Sequence, residues 1–192
     1  MRVWNVITAA GLVLAAVGPV AANDFAAELN ALAAGKIKEI VQSAELIEAI
    51  KAQNTVTEGY DQAKIDELDK IWRAEVDAAD QPLIDATLDN ATSAFLASYR
   101  ESSDGLFTEI FAMDNKGLNV GQSDVTSDYW QGDEAKWQET FLIGPDAVHL
   151  SDVELDESTQ TLQSQISVSV VDPDSGAPIG AVTFGVNVEL LD

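Results

Sequence analysis

The chain has 192 residues, enough for one ordinary domain with a sizeable core, and it contains no cysteine. Disulfides, thiol nucleophiles and thiolate metal sites are therefore excluded. Thirty-three Asp and Glu oppose ten Lys and Arg for a formal net charge of −23, a surface that repels nucleic acid and anionic lipid and draws cations. The first segment, "MRVWNVITAAGLVLAAVGPVAAND", carries Arg2, a short apolar run from Val6 to Val17, and small residues ahead of Asn23. That is the anatomy of a secretory signal peptide covering residues 1–22, cut after Ala22. The run is shorter than the ~20 residues of a membrane span, and Pro19 breaks it. The expectation is export to the periplasm or the outside as one domain, residues 23–192.

Two regimes divide that domain near residue 104. In "AGKIKEIVQSAELIEAIKAQN" the residues Ile37, Ile40, Val41, Ala44, Ile47 and Ile50 recur at helical spacing, which predicts one long amphipathic helix over Lys36–Gln53. "TVTEGY" interrupts it. A second helix is expected through Ile65, Leu68, Ile71, Trp72 and Val76, ending before Gln81-Pro82. A third begins at Pro82 with Leu83, Ile84, Leu88, Ala91, Phe95 and Leu96 on one face, and Ser102–Gly105 closes it. After Gly105 the period becomes that of strands. "LFTEIFAM" and "LNVGQS" flank a turn at Asp114–Gly117, and "AVHLSDVEL", "TLQSQISVSVV" and "IGAVTFGVNVELL" follow. Five strands joined mostly by short turns predict an antiparallel sheet in an α+β domain, helical over 23–104 and sheet over 105–192.

One connection breaks that economy. About twenty residues, Asp124 to Pro145, separate the second and third strands, a length that usually caps or binds something. They contain "SDYWQGDEAKWQETF", with Tyr129, Trp130 and Trp137 among Asp128, Asp133, Glu134 and Lys136. Aromatic faces and a carboxylate together suit an ammonium group. The same residues also suit plainer roles. If "GDEAKWQETF" is a short helix, Asp133 is its N-cap, and Trp137 and Phe141 are four apart on a packed face.

The pattern "IFAMDNKGLNV", the aromatic-rich loop, "VHLSDVELDEST" and "SQISVSVVDPDSGAPIGAVTFGVNVELL" resembles Cache-type extracellular sensor domains. The resemblance covers about Asp24 to Leu191, carried mostly by the strands after Leu106. It implies a PAS-like antiparallel sheet, a long N-terminal helix with further helices packed on it, and a small-solute pocket beneath the connecting segment. Such domains usually sit between the transmembrane helices of chemoreceptors or kinases. No apolar run follows Leu191, so this chain is expected to act through a partner receptor, kinase or transporter. The family's best-known amino-acid-binding pattern is not met, because the connecting loop has no Arg.

The candidate ligand-binding residues are therefore Tyr129, Trp130, Asp133 and Trp137 in the loop, Asp152 on the next strand, and Arg100 at the end of the third helix. Solvent exposure is the plainer role for Asp152, and an ion pair the plainer role for Arg100. Arg73, Lys116 and Lys136 are further cations placed to hold a carboxylate. Asp152, Glu154 and Asp156 open like a calcium loop, but Glu157 and Gln163 stand where Gly and Glu are required. With one histidine, His149, and no nucleophile motif, no catalytic constellation is found and no cofactor is implied. The expected function is an exported sensory domain that binds an amine or amino acid. Loop closure over the ligand would change how the N-terminal helices meet a partner, and those helices would also pair with a second copy. The alternative is an interaction protein with no small-molecule ligand, its aromatic loop serving as core.

Overall fold

The computed structural model of the protein describes residues 23–156 and 160–191; the expected signal segment and Glu157 of the calcium-loop comparison lie outside them. The helical half comprises α1 (Ala26–Leu32), a π-helical turn at Ala33–Ile37, α2 (Lys38–Val41), α3 (Ala44–Thr57), α4 (Gln62–Glu75), α5 (Pro82–Leu88) and α6 (Ala91–Glu101). The sheet half comprises β1 (Phe107–Met113), β2 (Asn119–Gln122), a short α7 (Ala135–Gln138), β3 (Val148–Leu150), β4 (Glu154–Asp156), β5 (Thr161–Val171) and β6 (Pro178–Asn187). A 3-10 turn at Val188–Leu190 follows.

The sheet is antiparallel throughout, in the order β2-β1-β6-β5-β3, with β4 also pairing to β5. The expected α+β architecture with an antiparallel sheet is the one observed. Six strands replace five because "AVHLSDVEL" is not continuous: β3 and β4 each pair with β5, and the register breaks between them, where Ser151 still donates its N–H to the Gln165 carbonyl at 2.9 Å.

The long N-terminal helix is also broken. Ser43 turns extended and its hydroxyl accepts the Leu46 N–H at 3.4 Å, so Ser43 caps α3 instead of continuing α2. The break shifts the helical phase: Ala44, expected on the apolar stripe, is exposed, and Leu46 is buried in its place. In the other direction α3 runs through the expected interruption to Thr57, whose hydroxyl bonds back to the Gln53 carbonyl at 3.1 Å. The third segment splits at Asn90, which caps α6 through the Ser93 N–H at 2.8 Å and donates its amide to the Val120 carbonyl at 2.9 Å.

Strand alternation assigns two faces to the sheet. On one, Ile110, Ala112, Ile166, Val168, Val170, Val182, Phe184 and Val186 pack with Leu29, Ile37, Ile40, Leu46, Ile50 and Leu96 as the main core. At ~1.5–3 kcal/mol for each large side chain buried, this face holds the helical arm against the sheet. It also consumes the apolar stripe from which helix pairing with a second copy was expected; any such pairing would use the arm's exposed side.

Gly180 is required where β6 crosses β1, because a Cβ there would run into the Met113 carbonyl. Glu75 is buried at the end of α4, and its carboxylate accepts the Leu83 and Ile84 N–H groups at 2.8 and 3.0 Å. It thereby satisfies donors that the start of α5 leaves free.

Candidate functional site

The connecting segment lies across the other face of the sheet, and the β1–β2 hairpin sets its path. Gly117 closes that turn at φ +83°, and Gly132 approaches it so closely that a Cβ on Gly117 would stand 2.6 Å from the Gly132 backbone. The Asn119 N–H donates to the Tyr129 carbonyl at 3.0 Å and the Gln131 N–H to the Gly117 carbonyl at 2.7 Å. Residues 129–131 thus run along the hairpin as an extra edge, with Leu118 and Trp130 as bridge partners.

Helix α4 grips the same segment from outside. Asp69 accepts the Tyr129 and Trp130 N–H groups at 3.0 and 3.1 Å. Arg73 spans Asp69 at 2.7 Å and Asp128 at 2.6 Å. The indole N–H of Trp72 donates to the Thr126 carbonyl at 2.8 Å.

This arrangement sends the aromatics in opposite directions. Tyr129 stacks on Trp72, with ring centroids 5.3 Å apart, and belongs to a small core with Ile65, Ile84 and Leu118. Burial, Asp114 and Tyr60 push its phenol up to about 12. Trp130, half-buried, packs against the same core and donates its indole N–H to the Lys116 carbonyl at 2.8 Å. Trp137 instead faces the sheet, stacked on Phe141 and packed with Phe111, Met113 and Ala181. Its indole N–H donates to the Asp114 carbonyl at 3.1 Å. The three rings therefore do not form one box.

The other candidates are dispersed as well. Asp133 is exposed and caps nothing; Glu134 precedes α7 and makes no side-chain cap either. Arg100 pairs with Asp124 at 3.0 Å, linking the end of α6 to the start of the segment. His149 meets Glu139 at 2.8 Å across the sheet edge.

Asp152 does line a concave space. A cleft of about 460 Å³ lies between α7 and the β4–β5 edge, with Glu134 and Lys136 on one wall and Asp152, Glu154, Gln163 and Gln165 among the residues of the other. Lys136 is held there on three sides. Its ammonium pairs with Glu134 at 2.9 Å, donates to Gln131 Oε1 at 3.3 Å and sits 5.4 Å above the Phe111 ring. Opposite, Gln163 and Gln165 both donate to Glu109, at 3.2 and 2.9 Å, so their amides are fixed.

Ser167 and Thr183 share a buried hydrogen bond of 2.9 Å beneath the covered part of this face. Between β2 and the start of the segment, Asn119, Gln122 and Thr126 form a buried polar cluster in which Gln122 Nε2 has no partner among the described residues. The sequence reading named Lys136 only as a general cation and missed Gln163 and Gln165. Their signal was alternation: in "QSQISVSVV" every second residue is polar.

No protein-family model matches the chain, and no curated protein matches it. Among solved structures, the chain is similar to the ligand-binding domain of the Campylobacter jejuni chemoreceptor Tlp3 in complex with 4-methylisoleucine. That match has 13% identity and a TM-score of 0.41, covering 80% of this chain and 61% of that one. The sensor domain of the V. cholerae histidine kinase DctB is similar at 12% identity and a TM-score of 0.38, covering 85% and 57%. The ligand-binding domain of the Pseudomonas aeruginosa PAO1 amino acid chemoreceptor PctC in complex with GABA gives 13% and 0.37, covering 88% and 62%. The chain thus spans about three fifths of the length of these structures.

Proposed function

We propose that the chain is an exported Cache-type sensory domain that binds a small polar solute in the cleft between α7 and the β4–β5 edge. An amine or amino acid is the favoured class. The observation that carries this reading is that one cleft holds an immobilised ammonium, Lys136, and, on its other wall, the carboxylates of Asp152 and Glu154. A zwitterion places its carboxylate at Lys136 and its ammonium at Asp152, and the fixed amides of Gln163 and Gln165 discriminate its polar substituents. Trp137 supports the site without facing it: its packing on the sheet holds α7, and with α7 the lysine. Tyr129, Trp130 and Arg100 hold the segment at its other end. Binding draws α7 towards β4 and β5, and the strain passes through the sheet to the N-terminal arm, where a partner receptor, kinase or transporter reads it.

The stacking of Tyr129 and Trp130 into a core with Trp72 favours a second reading, an interaction protein without a ligand. Thermal-shift screening against amino acids, amines and dicarboxylates separates the two. A ligand at a hundred times its Kd stabilises by about 2.7 kcal/mol, an easily measured shift. Asp152→Asn and Lys136→Ala should each weaken the ligand found by about tenfold. A panel that leaves the melting point unmoved refutes the sensor reading.

A further inference from the structure

A second concave space lies beyond the other side of the sheet edge. About 740 Å³ opens between the N-terminal helical arm and the β3–β5 edge. Ala33, Ala34 and Val41 face it from the arm, and Val148, Val168 and Val171 from the sheet. Ala33 and Ala34, in the π-helical turn at Ala33–Ile37, present only methyl groups to it. Ala33, Val41 and Val168 are nine-tenths buried and form the floor, while Val148 at the rim is 44% exposed. A volume between roughly 300 and 1,000 Å³ with apolar walls and a few polar groups is the usual form of a small-molecule site.

The polar groups narrow the class of ligand. Asn30 spends its amide on the Ala26 carbonyl at 2.6 Å, and Ser169 spends its hydroxyl on the Gly144 carbonyl at 2.7 Å. Lys38 and Gln42 also line the groove, and their side chains make no hydrogen bond or ion pair with any described residue. The Gln42 N–H bonds the Lys38 carbonyl at 3.2 Å, so the two stand one turn apart on the same side of the arm. Of these lining groups Lys38 is the cation, and Gln42 stands beside it as an amide donor. Asp146 is the remaining ionised lining group, and it opposes a second negative charge.

We infer that this groove binds an aliphatic monocarboxylate, its chain against the valine and alanine walls and its carboxylate accepting from Lys38 and Gln42. This site is separate from the cleft of the proposed sensory ligand and does not rest on it.

The probe is octanoate, titrated into the purified protein by isothermal calorimetry, with octan-1-ol and suberate as the uncharged and doubly charged comparisons. Octanoate is expected to bind at one saturable site, more tightly than either comparison. Lys38→Glu should weaken octanoate about tenfold or more and leave octan-1-ol unchanged. Asp146→Asn should strengthen it. Ala34→Trp fills the groove from an exposed helical position and should abolish binding of both, with the melting temperature confirming the fold. Asp152→Asn, in the other cleft, should change nothing. The inference is overturned if octanoate shows no saturable binding, if octan-1-ol binds as tightly, if Ala34→Trp retains wild-type affinity, or if Asp152→Asn abolishes the signal.

Discussion

Asp114 joins three parts of the molecule, and its substitution separates hydrogen bonding from charge. The residue is fully buried. Its carboxylate accepts the Thr57 hydroxyl at 2.9 Å and the Lys116 and Leu118 N–H groups at 2.8 and 2.9 Å, while its carbonyl holds the Trp137 indole. Asp114→Ala leaves the Lys116 and Leu118 amides without their acceptor, while the Thr57 hydroxyl falls back on the Gln53 carbonyl. At about 1–3 kcal/mol each, partly relieved by relaxation, the expected loss is about 2–4 kcal/mol, or roughly 10 °C for a domain of this size. Asp114→Asn behaves differently. Its Oδ1 still accepts both amides, and its Nδ2 donates to the Thr57 hydroxyl, which keeps its own bond to the Gln53 carbonyl at 3.1 Å.

Burial raises the Asp114 pKa above the usual 3.8 in spite of the hydrogen bonds that lower it, so the charged form is the disfavoured one in the fold. The native state then binds the proton more tightly than the unfolded chain. Stability contributed by this group is present below pH 3.8 and is lost as pH rises through the folded pKa. Asp114→Asn should therefore lie within about 1 kcal/mol of the wild type at neutral pH. Urea unfolding across a pH series, with the variant subtracted from the wild type, isolates the effect of this one carboxyl from the many others. The difference should fall as pH rises. A difference that rises with pH, or an Asn variant as damaged as the Ala variant at neutral pH, refutes the reasoning.

Two other substitutions probe the segment over the sheet. Trp137→Ala should cost about 3–5 kcal/mol by removing the ring stacked on Phe141, and should speed hydrogen exchange across residues 124–145 more than in the helical arm. In ultraviolet titration one tyrosine should ionise only near about 12; Tyr129→Phe should remove that step while losing no more than about 1 kcal/mol.

Much of the fold was legible because burial and backbone geometry share a period. Ile37, Ile40, Val41, Ile47 and Ile50 recur at helical spacing and are all buried, and Ile166, Val168 and Val170 alternate into the same core. The breaks at Ser43 and Asn90 were not read, although both are good caps, because a cap in mid-pattern looks like a polar residue on an exposed face. Leu162 shows the limit of alternation: it continues the apolar side of β5 yet is 41% exposed, since the core ends before it. Within the site, the length of the connection marked the segment that covers the sheet, and Asp152, one of the candidates, is exposed at the wall of a cleft. Gln163, Gln165 and Glu109 were not found, because their network joins positions more than fifty residues apart.

The one-dimensional pattern thus decided the classes of element, the antiparallel sheet and which segment crosses its outer face. These follow from local propensity and from the cost of burying an unpaired backbone. It did not decide which way the aromatics of that segment point. Pairing of residues 129–131 with the hairpin, and the grip of Asp69 on two backbone amides, turn Tyr129 towards α4 and Trp137 towards the sheet. Only contacts between distant parts of the chain settle that orientation, and with it the opening of a polar cleft around Lys136 where an aromatic box was expected.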